Sequence, residues 1–328
     1  MSREWLIGVD IGGTNLVVGL VPVEGGEPAG LRIRPTQSER GGDAVVTDVV
    51  RMVRETIREV VSSDDVILGM GVGSPGAVER ASGIVTQSPN LGWTDYPLKE
   101  RIEALSDWPV FLDNDANCAT FGEWWLGAGR GVDSLVGIII GTGIGGGYIL
   151  NGELVHGVTD GAGEIGHTTV NFAGRRCKCG NYGCLEAYAS GPNIAALARE
   201  GIEAGTPSLL TELVNGNLEL ITAATVYEAV VANDAFATEV MTEAAKFLGA
   251  GVANVINLLN PGAVVVMGGV TRAGHHLFDP LRSEVRRRAF RVAAAACKIL
   301  PAELPETAGV VGAAGICAAG LGRLERPS

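Results

Sequence analysis

Leu6-Ile7-Gly8-Val9-Asp10-Ile11-Gly12-Gly13-Thr14-Asn15-Leu16-Val17-Val18-Gly19-Leu20-Val21 decides how the rest of this chain is read. Leu6–Val9 is an apolar run, a Gly-Gly turn follows, and Leu16–Val21 is apolar again, which predicts a strand, a tight turn and a strand. A Gly-Gly-Thr turn between strands offers backbone N–H groups and one hydroxyl to phosphate oxygens. Asp10, at the end of the first strand, is placed to hold Mg²⁺ through water. A single turn of this kind usually makes nothing more than a hairpin. This one is repeated. Leu135–Ile140 meets Gly141-Thr142-Gly143 and Gly147–Leu150 runs back out, and Ala263–Met267 ends in Gly268-Gly269. Three such turns at three strand ends, the first led by an Asp, outweigh the bare hairpin reading. Gly12, Gly13, Thr14, Gly141, Thr142, Gly143, Gly268 and Gly269 become candidates for holding a nucleotide. The doubled strand–turn–strand unit predicts two related lobes facing one cleft.

Outward from these turns the hydrophobic pattern places the remaining elements. Leu31–Thr36 alternates as a third strand, and Val46, Val49, Val50, Val53, Ile57 and Val60 space as one helix face within Asp43–Val61. Ile67–Val72 is a buried strand ending in a Gly73-Ser74-Pro75-Gly76 loop. Val110–Leu112 is a short strand that stops at Asp113-Asn114-Asp115, and a helix over Ala116–Leu126 follows. Later come a long helix at Ala235–Leu259, a helix at Pro280–Phe290, a strand at Lys298–Leu300 and a final helix at Gly309–Leu321. Ala/Gly spacing in that last helix allows close packing. No Pro- or Ser-rich linker marks a boundary, so topology alone suggests a small domain over 1–112 and a large one over 113–308, with the last helix (309–322) packed back on the small one.

Composition excludes several functions. With 25 Lys+Arg against 37 Asp+Glu the net charge is 25 − 37 = −12, which repels nucleic acid and acidic membrane surfaces. An anionic ligand would then rely on glycine turns and a metal ion. The 48 glycines are about twice the usual share of roughly 7% and gather in turns. Asp10 interrupts the first apolar run, so no signal peptide is expected, and the uncharged stretch Ser134–Leu150 is broken by glycines and reads as a buried hairpin. A cytoplasmic protein is expected, and six cysteines in a chain this long point to thiols and a metal instead of disulfides.

Three of those cysteines form Cys177-x-Cys179-x4-Cys184, ten residues after His167. Three thiols and an imidazole make a complete tetrahedral zinc set. Iron–sulfur ligation normally takes a fourth cysteine, and here the fourth donor is a histidine. With four protein donors no position remains open for water, so the zinc is structural and not Lewis-acidic. Glu164 and Glu186 flank the cluster, so the metal fixes two carboxylates as well. Cys118, Cys297 and Cys317 read as core residues, and His156, His275 and His276 have no comparable company. Arg286-Arg287-Arg288 reads as a solvated helix face or a subunit contact.

In order, Asp10-x-Gly12-Gly13-Thr14, Asn114-Asp115, Glu164-x-Gly166-His167 and Cys-x-Cys-Gly-x-x-Gly-Cys-x-Glu together resemble the ROK family of sugar kinases and repressors, within the actin-like ATPase superfamily. The resemblance covers essentially the whole chain. The Asp10 turn is specific only to the superfamily, whereas the cysteine run is specific to the family. It implies an α/β, two-lobed actin-like (ribonuclease H-like) ATPase fold with a ligand cleft between the lobes, closing as sugar binds. It implies ATP with Mg²⁺ and structural Zn²⁺ as cofactors, a hexose as substrate and a homodimer. By the same resemblance Asn90, Asn114, Asp115, Glu164, His167 and Glu186 contact the sugar, and Asp115 takes the proton from its 6-hydroxyl. Read alone, Asp115 is equally a helix N-cap and Asn90 a turn residue; Trp93, like Trp108, Trp124 and Trp125, reads as a packing residue first, and its closeness to Asn90 makes the cleft margin its second reading. The expected activity is phosphorylation of glucose. The alternatives are another hexose or N-acetylmannosamine, polyphosphate as donor, a sugar-binding module without catalysis, or a repressor. The last is disfavoured by the short stretch before Asp10 and by the negative charge.

Overall fold

A computed structural model describes residues 2–324. The chain begins with β1 (Glu4–Ile11), β2 (Asn15–Pro22), β3 (Ala29–Pro35), α1 (Gly42–Val60) and β4 (Val66–Ser74). Then come β5 (Ala77–Glu79), β6 (Ile84–Ser88), β7 (Trp93–Tyr96), α2 (Leu98–Glu103), β8 (Val110–Asn114) and α3 (Asp115–Trp125). Next are β9 (Leu135–Ile140), β10 (Ile144–Leu150), β11 (Glu153–Leu154), α4 (Glu186–Ala189), α5 (Gly191–Glu203), α6 (Leu210–Leu213), α7 (Ala223–Val231) and α8 (Ala235–Leu259). The last are β12 (Ala263–Met267), α9 (His275–Arg288), α10 (Arg291–Ala296), β13 (Lys298–Pro301) and α11 (Ala308–Gly320).

Two five-stranded sheets carry the same order, β3-β2-β1-β4-β8 and β11-β10-β9-β12-β13. In each, the glycine-turn hairpin supplies the second and third strands, as the doubled motif predicts. In the first sheet β1 pairs antiparallel with β2 and parallel with β4, and β4 pairs parallel with β8. The contacts group residues up to Gly137, Gly147–Gly163 and those from Ala302 onward into one unit, and Ile138–Gly146 with Glu164–Pro301 into the other. Residues 113–137 therefore group with the N-terminal sheet, because α3 and α11 pack on each other and α11 also lies on β1, β4 and β8.

Glycines make that packing possible. A methyl at Gly71 on β4 would fall 1.7 Å from the Ala313 carbonyl oxygen, and one at Gly312 on α11 would fall 1.6 Å from that of Cys118. Side chains cannot exist at either contact, so α11 meets β4 and α3 backbone to backbone. The opposite face of the sheet buries Ile7, Val9, Ile11, Val18 and Leu20 against Val46, Val49, Met52 and Val53 of α1.

Several expectations need correction. Gly73 and Ser74 are not loop: β4 extends through them, pairing with Asp113 and Asn114. The short three-stranded sheet β5-β6-β7 has too few residues per strand for alternation to register. The helix expected from Pro280 begins at His275, with Pro280 inside it. Buried Leu277 and Phe278 anchor its first turns and offset the backbone hydrogen bond that proline removes. Trp93 is a packing residue, 5% exposed within the first unit's core beside Tyr96 at 4.6 Å between ring centroids. Cys297 is only half-buried. Arg287 and Arg288 are not simply solvated, because both pair with buried Glu284. Among the described residues no helix is long and apolar enough to cross a membrane.

Candidate functional site

In the first unit the turn after β1 is held by backbone bonds, Gly12 N–H to the Asn15 carbonyl at 2.8 Å and Thr36 N–H to the Thr14 carbonyl at 2.8 Å. The Thr36 hydroxyl donates to the Gly12 carbonyl at 2.6 Å. Gly13 lies against Asn90, where an added methyl would stand 3.2 Å from the Asn90 Cβ. The β6–β7 turn therefore brings Asn90 to the first glycine turn. Asp10 sits at the end of β1 over the start of α11, and a methyl on Gly309 would come 2.2 Å from its Oδ2. Burial first, and the negative charge of Asp115 second, push the Asp10 pKa up to about 7. Two carboxylates this close suit a divalent cation, which removes the repulsion between them.

Asp115 opens α3, but Asn114 caps it. Asn114 Oδ1 accepts from the N–H of Ala116 at 2.8 Å and of Asn117 at 3.2 Å. Its amide donates to the Gly76 carbonyl at 3.0 Å. The sequence left open whether Asp115 was the cap, and the structure gives that task to its neighbour. With Oδ1 occupied and one amide hydrogen used, Asn114 keeps one hydrogen for a ligand. Asp113, passed over in the sequence, is 1% exposed and bonds His156 and Arg80.

In the second unit His167, Cys177, Cys179 and Cys184 converge, their donor atoms all within 4.8 Å of one another. Cys179 Sγ lies 3.7 Å from Cys184 Sγ, and Cys177 Sγ lies 3.8 Å from His167 Nδ1. A tetrahedron with legs of about 2.3 Å has edges of about 3.8 Å, so the donors fit zinc. Burial and the neighbouring thiols push Cys184 up to about 12, and burial raises Cys177. Backbone donation from Asn181 lowers Cys179, the exposed member. A bound dication stabilises these thiolates and releases their protons. Nδ1 of His167 faces the thiols, while Nε2 lies 3.9 Å from Glu164 Oε2 on an accessible side.

Glu186 joins this loop to the second glycine turn. Its Oε2 accepts the Ile144 N–H at 2.9 Å, and its Oε1 lies 3.8 Å from Cys177 Sγ. The Gly141-Thr142-Gly143 turn is closed by Gly141 N–H to the Gly143 carbonyl at 2.9 Å. Gly268, at φ +99°, would carry a methyl 2.1 Å from the Ile140 carbonyl oxygen, so only glycine lets these strand ends meet. Gly141 and Gly269 border open space. There lies a cavity of about 440 Å³ lined by Ile140, Gly141, Ala223, Tyr227, Met241 and Val270 among others. One of about 430 Å³, bordered by Thr142, Pro192 and Arg199, shares Gly141, Gly191, Ala223 and Ala224 with it. Ala223, Ala224 and Tyr227 of α7 carry ordinary helical spacing, so nothing in the sequence marked them as cavity residues.

The sequence profile of the ROK family matches residues 6–319. A glucokinase from Halalkalibacterium halodurans is 38% identical over 95% of this chain and 94% of its own. One from Thermotoga maritima is 40% identical over 96% of this chain and 98% of its own. The crystal structure of a ROK family glucokinase from Streptomyces griseus in complex with glucose and AMPPNP superposes with a TM-score of 0.82. Its identity is 34%, covering 94% of this chain and 98% of that one. With its paired five-stranded sheets, its glycine turns and its His/Cys₃ cluster, the chain belongs to the ROK family.

Proposed function

We propose that this protein transfers the γ-phosphoryl group of ATP to the 6-hydroxyl of glucose, giving glucose 6-phosphate and ADP. Glucokinases match it along nearly their whole length, and the fold is that of an ATP-dependent hexose kinase. The observation that carries the chemistry is Asp115, whose Oδ1 shares the Ala116 N–H with the capping Asn114 at 2.8 Å and whose charge lies close enough to Asp10 to raise its pKa.

We assign hexose binding to Asn90, Asn114, Asp115, Glu164, His167 and Glu186. Carboxylates and amides match sugar hydroxyls, which both donate and accept. Asp115 is the base. Phosphoryl transfer passes through a loose transition state, so Asp115 orients the 6-hydroxyl and receives its proton late. Gly12, Gly13, Thr14, Gly141, Thr142, Gly143, Gly268 and Gly269 receive the phosphates through backbone N–H groups and a hydroxyl. The two joined apolar cavities beside Gly141 suit the adenosine end. Asp10 would hold Mg²⁺, and the ion would supply neutralisation of charge on the terminal phosphates. Zinc is structural, leaving His167 Nε2 for the sugar. A homodimer belongs to this reading, and light scattering checks it. The experiment for the function is ADP production from MgATP across hexoses and N-acetylhexosamines. The highest kcat/KM is expected with glucose, and a preference for N-acetylmannosamine or fructose would reassign the substrate.

A further inference from the structure

Asp113 is buried at the end of β8, and neither the base nor the zinc loop accounts for it. Its Oδ1 accepts the Asn114 backbone N–H at 2.8 Å and the Asn117 side-chain amide at 2.8 Å. Its Oδ2 lies 2.7 Å from His156 Nε2 and 3.2 Å from Arg80 Nε. A buried carboxylate is tolerated only when its lone pairs are met, and here four donors meet them. Those donors come from three places. Asn114 and Asn117 stand on either side of Asp115, Arg80 lies in the β5–β6 turn, and His156 lies just after β11. Asp160, four residues after His156, holds Arg80 in turn, accepting its backbone N–H at 3.0 Å and standing 3.8 Å from its guanidinium.

We propose that Asp113, His156 and Arg80 form a positioning device for Asp115. Asp113 grips the residue before the base and the residue two after it, which sets the direction and rotation of the first turn of α3. His156 and Arg80 hold Asp113 from the far side. The inference rests on Asp115 as the base. Loss of the device tilts that base and shifts two of the six assigned sugar contacts while Asn90, Glu164, His167 and Glu186 keep theirs, so kcat falls much further than the glucose KM rises. A misplacement of about 1 Å costs up to ~10²-fold in rate.

The test compares His156→Ala, His156→Gln and Asp115→Asn in the full-length protein with MgATP and glucose. We expect kcat about 10- to 100-fold lower in His156→Ala, with KM changed less than about threefold. Gln can place an amide N–H near the lost Nε2 and should recover most of the rate. His156, Asp113 and Arg80 also line a cavity of about 410 Å³, large enough to admit free imidazole to the vacated place. Added imidazole should therefore raise kcat of His156→Ala and leave the wild type unchanged. Unchanged kcat in His156→Ala, or a loss that neither Gln nor imidazole restores, overturns the device. Should His156→Ala fail to fold, Arg80→Gln decides: kcat reduced about fivefold or more with a smaller rise in KM supports the device, and unchanged kcat overturns it. Full turnover by Asp115→Asn is a separate failure, that of the base itself.

Discussion

Asp115 leads α3 while Asn114 carries the cap, so the two residues can be separated by mutation. Asp115→Asn keeps the shape and removes the proton acceptor. Its kcat should drop by at least ~10²-fold while glucose affinity stays within about tenfold, measured by steady-state kinetics and by sugar binding. Asp10 gives a second prediction. Its folded pKa of about 7 lies above its ordinary 3.8, so the metal-free folded protein holds a proton that the unfolded chain has lost between those values. Its contribution to stability is therefore complete below about pH 4 and is lost as pH rises through 7. In EDTA, Asp10→Asn should melt higher than wild type at pH 8, with the gap closing toward pH 4. An advantage that grows on acidification would contradict the assignment. At this scale the sequence showed residues of distinctive chemistry, above all the Cys/His set, because ligand spacing is local. It did not show Asp113, His156 or Gly309, whose significance comes from residues far along the chain that fold against them.

The zinc loop and α11 are the two elements that carry most of the local design. The loop has little regular structure and a small satellite core of Cys177, Cys184, Ala187 and Tyr188, so a metal bound by its thiols would supply much of its order. Cys179→Ala should lower bound zinc from one ion per chain, reduce the melting temperature and raise the glucose KM together. Full activity in zinc-free protein would contradict this. On α11, Gly312→Ala places a methyl against the Cys118 carbonyl, which neither backbone can yield cheaply. A loss of about 1–3 kcal/mol in denaturant unfolding is expected, and an unchanged midpoint would mean the helix has room to shift. The sequence marked long, strongly patterned elements well: α8 runs Ala235–Leu259 and β12 runs Ala263–Met267, as read. It missed β5–β7, too short for periodicity, and the start of α9, where burial of Leu277 and Phe278 overrides the proline signal.

For the molecule as a whole, the repeated strand–turn–strand unit was the legible feature, and the two sheets with one shared order are its outcome. Topology read from the sequence returned the last helix to the N-terminal sheet, where α11 lies on β1, β4 and β8, but it drew the boundary near residue 112, whereas the contacts group residues 113–137 with that sheet as well. The first unit takes in three separated segments, joined by contacts of α3 and α11 that no linker announces. The account requires that this fold couple ATP cleavage to a sugar acceptor. The most direct test incubates the purified protein with MgATP, with and without glucose, and quantifies ADP and glucose 6-phosphate together. The prediction is equal amounts of the two products, with ADP formation low when glucose is omitted. ADP released at the same rate without sugar, or with no glucose 6-phosphate formed, would contradict it.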